Sequence, residues 1–277
     1  GKKYQVRSCS TNYDDILNSN KINTIIIATR HNLHSKMVIK ALKKNKNIFV
    51  EKPFALNSNE LEKILNSYKK SKSIITVGFN RRFSFFTSKI KSLLGEINSP
   101  INIIINVNAG VISENSWVHD MEIGGGRIVG EACHFIDLIS FISSSEVTHV
   151  CMNSLGLKPK INTDNATILL RYKNGSNGVI NYVSNGNKSY SKERIEIYYN
   201  EKVLILKNWK KLIGYGFKRF SKISRKMDKG HHNQFLLLIK SINNQESLMN
   251  FREIINTTKA SFACIESLKK NKWINVK

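Results

Sequence analysis

The sequence predicts two structural classes in succession, an α/β region followed by an α+β region. In the first hundred residues, short apolar runs of strand length alternate with amphipathic helices, which is typical of a parallel sheet. Beyond that point strands follow one another with almost no helix between them, which is typical of an antiparallel sheet. We therefore predict a parallel-sheet domain at 1–100 and a mostly antiparallel sheet with helices on one face at 101–277, with a cleft between the two.

The first region is predicted to contain three buried strands separated by helices. The predicted strands are residues 21–28, 48–50 and 73–79. Apolar residues at helical spacing predict a helix over 32–44, and either Asn57 or Ser58 is placed to cap the next helix. Because strands and helices alternate, the strands should be parallel and should present their carboxyl ends at one edge.

Polar residues follow each of these strands, and ligands bind at the carboxyl ends of parallel strands. Glu51 and Lys52 come directly after the second strand, in the sequence NIFVEKP. Lys52 is either a positioned donor for a ligand or one member of a surface ion pair with Glu51. In TRHNLH, residues 29–34, two histidines lie beside a helix start, where Asn32 is a candidate N-terminal cap.

The second region is predicted to consist mainly of strands that alternate apolar and polar residues. The predicted strands are 101–108, 147–154, 165–172, 177–184, 193–199 and 202–206. The predicted helices are 126–142, 231–243 and 251–270. The alternation favours a sheet with one face toward a core and one toward solvent.

The helix predicted at 126–142 contains a candidate proton-transfer group. Glu131, His134 and Asp137 are spaced by three residues, so successive members lie near one another on the helix surface. A histidine beside an acid is a common general acid or base; a structural histidine in a core helix is the alternative. The glycines at 124–126 would let a ligand approach the helix start, but no strand precedes them, so they are not a dinucleotide fingerprint.

The charge of the chain is strongly positive, with 44 Lys and Arg against 20 Asp and Glu, a net charge of +24. Three explanations compete: a compositional bias spread over solvated surfaces, phosphate-bearing small molecules, and nucleic acid. One segment, 207–226, interleaves aromatic and basic residues as single-strand binding surfaces do. A solvated loop explains that segment equally well, and we predict no nucleic-acid partner.

Other function classes are disfavoured by what the sequence lacks. Its apolar runs are too short to cross a membrane, and the basic N-terminal segment is not followed by the apolar stretch of a signal peptide. The four cysteines are scattered without C-x-x-C spacing, so neither a metal site nor a disulfide framework is predicted. We predict a cytoplasmic protein with free thiols.

Four motifs, in this order, resemble the glucose-fructose oxidoreductase, inositol dehydrogenase and MocA (Gfo/Idh/MocA) family of nicotinamide-dependent dehydrogenases. They are IIIATRHNLH, IFVEKP, VGFNRRF and GGGRIVGEACHFIDL. The variant ATRHNLH, with NAG at 108–110 and GGGRIVGE, is similar to the dehydrogenase half of two-part proteins with an upstream zinc-type alcohol dehydrogenase domain. The resemblance covers essentially the whole chain.

The resemblance implies roles for individual residues. Lys52 would orient and polarise the reacting hydroxyl beside NAD or NADP, and His134 would take the hydroxyl proton. Most members have an aspartate four residues before this histidine; here that position is Gly130, and Glu131 beside it is the candidate substitute. The residues implied to line the cofactor are Thr29, Arg30, His31, Asn32, His34, Glu51, Lys52, Asn80 and Arg81. The residues implied to contact the substrate are Trp117, Arg127 and Asp137.

The resemblance also implies a truncated Rossmann-like fold. Residues 1–100 would be a partial dinucleotide-binding domain, and 101–277 a domain for substrate binding and oligomerisation. Members begin with a strand, a G-x-G-x-x-G turn and a helix, whereas this sequence opens beyond that part, so about one βαβ unit of roughly 30 to 60 residues is absent. The sequence is then expected to be a fragment of a longer protein, or a chain separated from its cofactor half.

The function implied is hydride transfer between the cofactor and a hydroxyl of a sugar, cyclitol or nucleotide sugar, often in surface-polysaccharide synthesis. The implied partners are a second copy of the chain, bound through the antiparallel sheet, and an upstream alcohol-dehydrogenase-like domain. A different class of function is the alternative. An inactive or auxiliary subunit would keep the sugar cleft and the assembly surface but lack its own cofactor half.

Overall fold

Two β-sheets organise the chain in a computed structural model, which describes residues 2–276. The helices are α1 (Tyr13–Leu17), α2 (His31–Lys43), α3 (Ser58–Tyr68), α4 (Phe85–Leu94), α5 (Cys133–Ser143), α6 (His231–Asn244) and α7 (Phe251–Lys270). The strands are β1 (Thr24–Ile27), β2 (Asn47–Val50), β3 (Ile75–Val77), β4 (Asn102–Asn108), β5 (Val147–Ser154), β6 (Ala166–Tyr172), β7 (Asn177–Val183), β8 (Glu193–Tyr199), β9 (Lys202–Lys207), β10 (Lys211–Tyr215), β11 (Lys222–Ser224) and β12 (Ile274–Asn275). This order confirms the predicted fold class.

The first sheet has three parallel strands in the order β1-β2-β3. Its strands are short apolar runs, and Ile27, Val50 and Val77 are fully buried beneath α2 and α3. Asn57 caps α3, because its side chain accepts a hydrogen bond from the amide of Glu60. The predicted cap at Asn32 is wrong, since α2 begins at His31 without a side-chain cap.

The second sheet has nine strands in the order β11-β10-β9-β8-β4-β7-β6-β5-β12. All neighbours are antiparallel except β4 and β7, which pair in parallel from Asn102↔Asn177 to Asn108↔Val183. The parallel pair places β4 at the centre of the sheet, where its two neighbours are β7 and β8. Both neighbours come much later in the sequence than β4. Helices α5 and α7 pack against the sheet and complete its core.

Two segments differ from the sequence-based expectations. The solvated loop predicted over 207–226 contains β10 and β11, which extend the sheet by antiparallel pairing, and Trp209 of this segment is fully buried. The helix predicted over 126–142 begins with a π turn, Ile128–Ala132, before α5. Helix α4 was not predicted.

Helices from the end of the chain connect the two sheets. Phe235 of α6 packs on Phe49 of β2 with ring centroids 4.9 Å apart, and Ile254 of α7 belongs to the core of the first sheet. The carboxyl ends of β1 to β3 therefore face residues supplied by the second half of the chain. Within residues 2–276, no helix has the length and hydropathy needed to cross a membrane.

Candidate active site

Lys52 stands at the carboxyl end of β2, where it reaches toward the π turn that precedes α5. Its Nζ donates a hydrogen bond of 2.8 Å to the carbonyl oxygen of Gly130. The acceptor residue, Gly130, is four positions before His134, where the motif resemblance leads us to expect an aspartate. A Cβ at position 130 would lie 3.1 Å from His31 Cε1, so glycine keeps this turn close to α2.

A cavity of about 120 Å³ lies beside Lys52 and contains three further residues predicted for the site. Its lining residues are Lys52, Arg81, Val107, Glu131, His134, Phe135, Tyr182 and Lys192. The structure thus brings together the three candidate catalytic residues, Lys52, Glu131 and His134, at one cavity. Lys52 and His134 are 82 positions apart in the sequence and belong to different predicted domains, so their proximity in space could not be read from a local pattern.

The π turn, Ile128–Ala132, contains Glu131 and directly precedes the part of α5 with His134, and both residues line the cavity. Such turns are uncommon and occur often at functional sites, because the widened turn redirects side chains and carbonyl groups. Before the turn, a Cβ at Gly124 would meet main-chain atoms of Trp117 and Val118 at 2.5 Å. The carbonyl of Gly124 in turn lies 2.7 Å from Nδ1 of His31, which ties α2 to the glycine segment.

His134 is a neutral base in this environment. Burial, followed by the positive charges of Arg81 and Lys52, lowers the pKa of His134 well below its ordinary value. Its Nδ1 is buried and has no hydrogen-bond partner within residues 2–276. The imidazole ring lines the cavity, and a neutral imidazole there can accept a proton from a ligand.

Glu131 also lines the cavity, but it does not form the predicted pair with His134. Its carboxylate accepts hydrogen bonds from Arg127, at 3.1 and 3.2 Å, and from the hydroxyl of Tyr182, at 2.6 Å. Burial alone would raise the pKa of Glu131, but the hydrogen bonds from Arg127 and Tyr182 lower it below the ordinary value. Glu131 is therefore an ionised acceptor held by its neighbours.

Two residues predicted to contact the substrate have structural positions instead. The side chain of Arg127 is almost fully buried and binds Glu131 and, at 2.7 Å, the carbonyl of Gly110. Asp137 is completely buried and forms an ion pair with Arg82. Residues three apart on a helix lie on neighbouring faces, and the face of Asp137 points into the core.

The residues predicted to line a cofactor fall into two groups. Thr29 and Arg30 are exposed at the carboxyl end of β1, and Asn32 has a buried Oδ1 without a partner among the described residues. The carboxylate of Glu51 lies over Gly78, where a Cβ would be 2.7 Å from its Oε2. Thr29, Arg30 and Glu51 thus lie at the carboxyl ends of β1 and β2, and ligands generally bind at that edge of a parallel sheet.

The other predicted cofactor residues are engaged with the protein. His34 is fully buried, and its ring nitrogens lie 2.9 Å from the carbonyl of Pro53 and 3.1 Å from that of Thr29. The structure therefore corrects its predicted role: it joins two loops rather than facing a ligand. Asn80 donates to the carbonyl of Lys229 at 2.6 Å.

Trp117 packs beside two residues that follow β1, His31 and Arg30. It is half-buried, with its ring 4.8 Å from His31 in an edge-to-face arrangement and beneath the guanidinium of Arg30 at 5.8 Å. His31 is held against the glycine segment, and burial lowers its pKa to about 4. The pair lies between the end of β1 and the glycines.

Sequence reasoning missed two cavity residues, Tyr182 and Lys192, and also Glu193, which lies behind Arg81. Tyr182 belongs to β7, Lys192 is the residue before β8, and Glu193 begins β8; these two strands flank β4 in the sheet. Arg81 donates to Glu193 through Nε and Nη2, at 3.0 and 2.8 Å. These residues reach the site only because of the order of strands in the large sheet, and no local sequence pattern predicts that order.

The described residues fit one end of a dinucleotide. Thr29, Asn32 and Glu51 offer polar atoms beside Lys52, as a nicotinamide ribose requires, whereas a pyrophosphate needs a glycine-rich turn at a helix start. No strand in the sequence is followed by G-x-G-x-x-G.

Comparison with known families decides the relationship. Residues 1–79 match a family described as oxidoreductase family, NAD-binding Rossmann fold, and residues 94–205 match the GFO/IDH/MocA C-terminal domain. The chain belongs to the Gfo/Idh/MocA family. This confirms the predicted family, and it places the first part of the chain among NAD-binding Rossmann domains.

Curated relatives within the Gfo/Idh/MocA family align over only part of their length. An uncharacterized oxidoreductase, YrbE, of Bacillus subtilis is 29% identical over 202 residues, which are 70% of this chain and 58% of that protein. A myo-inositol 2-dehydrogenase of Thermotoga maritima is 27% identical over 66% of this chain and 56% of its own length. The chain thus spans little more than half the length of these relatives.

Solved structures share the fold over nearly the whole chain. An oxidoreductase domain protein from Kribbella flavida superimposes with a TM-score of 0.84 and 19% identity, over 96% of this chain and 84% of that one. A levoglucosan dehydrogenase in complex with NADH and levoglucosan has a TM-score of 0.83 and 18% identity, over 99% and 85% of the two chains. At such identities the likeness establishes the Gfo/Idh/MocA fold.

Proposed function

We propose that this chain is the catalytic part of a dehydrogenase that moves a hydride between NAD or NADP and a hydroxyl group of a sugar or cyclitol. The observation that carries the proposal is the meeting of Lys52 and the neutral, unpaired His134 at one cavity beside the carboxyl ends of β1 to β3. The names of two similar proteins, a myo-inositol 2-dehydrogenase and a levoglucosan dehydrogenase, support this class of substrate.

The cofactor, when bound, supplies the hydride acceptor or donor. Thr29, Asn32 and Glu51 would hold its nicotinamide ribose at the edge of the first sheet. Trp117, beside His31 and Arg30, would shape the adjoining substrate pocket by stacking on the sugar.

His134 and Lys52 divide the proton chemistry between them. Burial, and then the nearby positive charges, lower the pKa of His134 and keep its imidazole neutral, so the ring is free to accept the proton of the reacting hydroxyl. Lys52 keeps two N–H donors free after its bond to Gly130, and these orient the substrate oxygen and stabilise negative charge on it. Glu131 positions the loop through Arg127 and Tyr182.

We further propose that a preceding βαβ unit completes the cofactor site. Within residues 2–276, β1 is the edge strand of its sheet, and its outer side has no paired strand. Ile26 of β1 is 58% exposed, although its neighbour Phe49 on the same face is only 1% exposed. An apolar residue on the edge of a parallel sheet is the surface that a further strand and helix would cover.

Further parts of the proposal rest on the motif resemblance. They are a cytoplasmic location, a role in surface-polysaccharide synthesis and an upstream alcohol-dehydrogenase-like domain. We also propose association of two copies through the face of the large sheet opposite α5 and α7. On that face Ile104 and Asn181 are half-buried, and Tyr198 is exposed. An auxiliary subunit without activity of its own is the alternative function.

Thermal melting with NADH and NADPH tests cofactor binding. A ligand at about 100 times its Kd adds about 2.7 kcal/mol to the free energy of unfolding, and each kcal/mol raises the melting temperature of a chain this size by about 2–4 °C. We expect a rise of several degrees when the chain carries its preceding unit, and a smaller rise without it. Flat curves for both would favour the auxiliary subunit.

Turnover of the longer chain tests the catalytic roles. We expect Lys52→Met and His134→Ala each to lower the rate of nicotinamide reduction by about 10²- to 10⁴-fold, with unchanged melting temperatures. Lys36→Met, an exposed lysine of α2, and His149→Ala, on β5, are matched controls that should retain full activity. Near-normal turnover of either active-site variant would remove that residue from the mechanism.

A further inference from the structure

The cavity beside His134 offers many hydrogen-bond donors and few acceptors. Lys52 has two N–H groups left after binding the Gly130 carbonyl. Arg81 binds Glu193 through Nε and Nη2, which leaves its Nη1 without a partner among the described residues. The oxygens of Glu131, in contrast, already accept three hydrogen bonds from Arg127 and Tyr182.

Lys192 adds a cation that is not neutralised. Its carbonyl accepts a hydrogen bond of 2.8 Å from the amide of Asn108, so its main chain is fixed against the end of β4. Its side chain lines the cavity, and within residues 2–276 its ammonium makes no ion pair or hydrogen bond. Three cations, Lys52, Arg81 and Lys192, therefore border the cavity against one carboxylate.

The carboxylate of Glu193, which lies behind the residues that line the cavity, does not neutralise their excess of positive charge. Glu193 is shared between Arg81 and Lys229, whose Nζ lies 2.9 Å from its Oε1. A neutral sugar presents hydroxyl groups that both donate and accept, so it would leave part of this donor set unpaired. A carboxylate or phosphate accepts only, and charge-assisted hydrogen bonds to it are the strong ones.

We propose that the cavity binds a sugar that carries an acidic group, and that Lys192 is the residue that binds this group. The inference rests on the proposed function for the identity of the ring, and the shared chemistry of its ligand is an anionic oxygen group, either a carboxylate or a phosphate. Lys192 is then a specificity-determining residue, separate from the groups that handle the proton.

Binding measured by calorimetry, without turnover, tests the proposal. The probes are D-glucuronate and D-glucose 6-phosphate against D-glucose, and D-galacturonate against D-galactose, so that ring configuration is controlled. We expect at least one acid to bind about tenfold or more tightly than its neutral counterpart, and this preference to shrink at high salt. A carboxylate-only or phosphate-only preference identifies the acidic group.

Two variants localise the effect. Lys192→Gln should weaken binding of the acid about tenfold and leave binding of the neutral sugar unchanged. Lys188→Gln, an exposed lysine of the same loop that does not line the cavity, should change neither. Equal affinity for acidic and neutral sugars, or an acid preference that survives Lys192→Gln, would overturn the proposal.

The outcome is separable from that of the proposed function. Lys192-dependent binding of an acid, without nicotinamide reduction by the longer chain that carries the preceding unit, would refute the dehydrogenase and keep the anion site. Nicotinamide reduction with neutral sugars, without a preference for acidic ones, would keep the dehydrogenase and refute the anion site.

Discussion

Arg81 and Arg82 are adjacent in a short 3-10 turn after β3, yet they form two buried ion pairs with opposite character. Arg81 points toward the cavity and binds Glu193 of β8 through Nε and Nη2. Arg82 points into the core and binds Asp137 of α5 through the same two nitrogens, at 2.7 and 2.6 Å. The two pairs have nearly identical geometry.

The two ion pairs differ in the additional charged residue that each one binds, which is Lys229 for Glu193 and Glu253 for Arg82. Glu193 also accepts hydrogen bonds from Lys229 and from Trp209 Nε1, so one carboxylate serves two cations. Burial alone would raise its pKa, but Arg81 and then Lys229 lower the pKa of Glu193 to about 2.

Asp137 has the opposite balance, because Arg82 also binds Glu253 and one cation serves two carboxylates. Its complete burial outweighs the Arg82 guanidinium and raises the pKa of Asp137 to about 6. Pair geometry alone therefore does not fix the pKa of the carboxyl group; burial and the neighbouring charges also contribute to it. The cavity side has the positive excess.

The largest expected effect comes from neutralising each carboxylate. Glu193→Gln leaves Arg81 and Lys229 buried or half-buried without their counter-ion, and we expect it to lower the free energy of unfolding by about 3–5 kcal/mol. Asp137→Asn should cost only about 1–2 kcal/mol, because Arg82 keeps Glu253. Urea denaturation measures both values, and equal losses would contradict the comparison.

The next effect is on the pH dependence of stability. Glu193 has a folded pKa of about 2 against an ordinary 4.5, so its contribution is present above pH 4.5 and is lost as pH falls to about 2. Asp137 has a folded pKa of about 6 against 3.8, so its contribution is present below 3.8 and is lost as pH rises to about 6.

Each variant should therefore flatten one part of the profile. Denaturation at a series of pH values should show a weaker acid limb in Glu193→Gln and a weaker decline between about pH 4 and 6 in Asp137→Asn. Profiles parallel to that of the unaltered chain would show that neither carboxyl has a displaced pKa.

The smallest effect comes from the third partners. Lys229→Met removes a partly exposed cation and should cost under about 1 kcal/mol, while raising the pKa of Glu193. Glu253→Gln removes a like charge from Asp137 and should lower the pKa of that residue. NMR titration of the two carboxyl groups measures these shifts, and changes of the same sign in both would contradict the charge-balance explanation.

Much of the fold could be predicted because its signals are local. The first sheet and its helices follow from apolar runs and helical spacing, and their observed bounds differ from the predicted ones by a few residues. Strands β10 and β11 were missed because basic and aromatic residues concealed their alternation. The parallel pairing of β4 with β7 joins residues 75 positions apart, and no local pattern specifies it.

The candidate site divides in the same way. Lys52 and His134 lie in compact motifs and were found; Tyr182 and Lys192 are ordinary strand and loop residues that enter the cavity only through the order of the large sheet. Asp137 was misplaced because its spacing from His134 looked functional, whereas its true partner, Arg82, is distant in sequence.

The acceptor that holds Lys52 is a peptide oxygen, at Gly130. A side-chain acceptor can be deleted by one codon change, but a main-chain carbonyl is present whatever residue occupies the position. Position 130 is thus limited only by size, since a Cβ there would lie 3.1 Å from His31 Cε1. The hydrogen bond that holds Lys52 depends on the position of the backbone at residue 130, so a substitution there does not remove the acceptor atom.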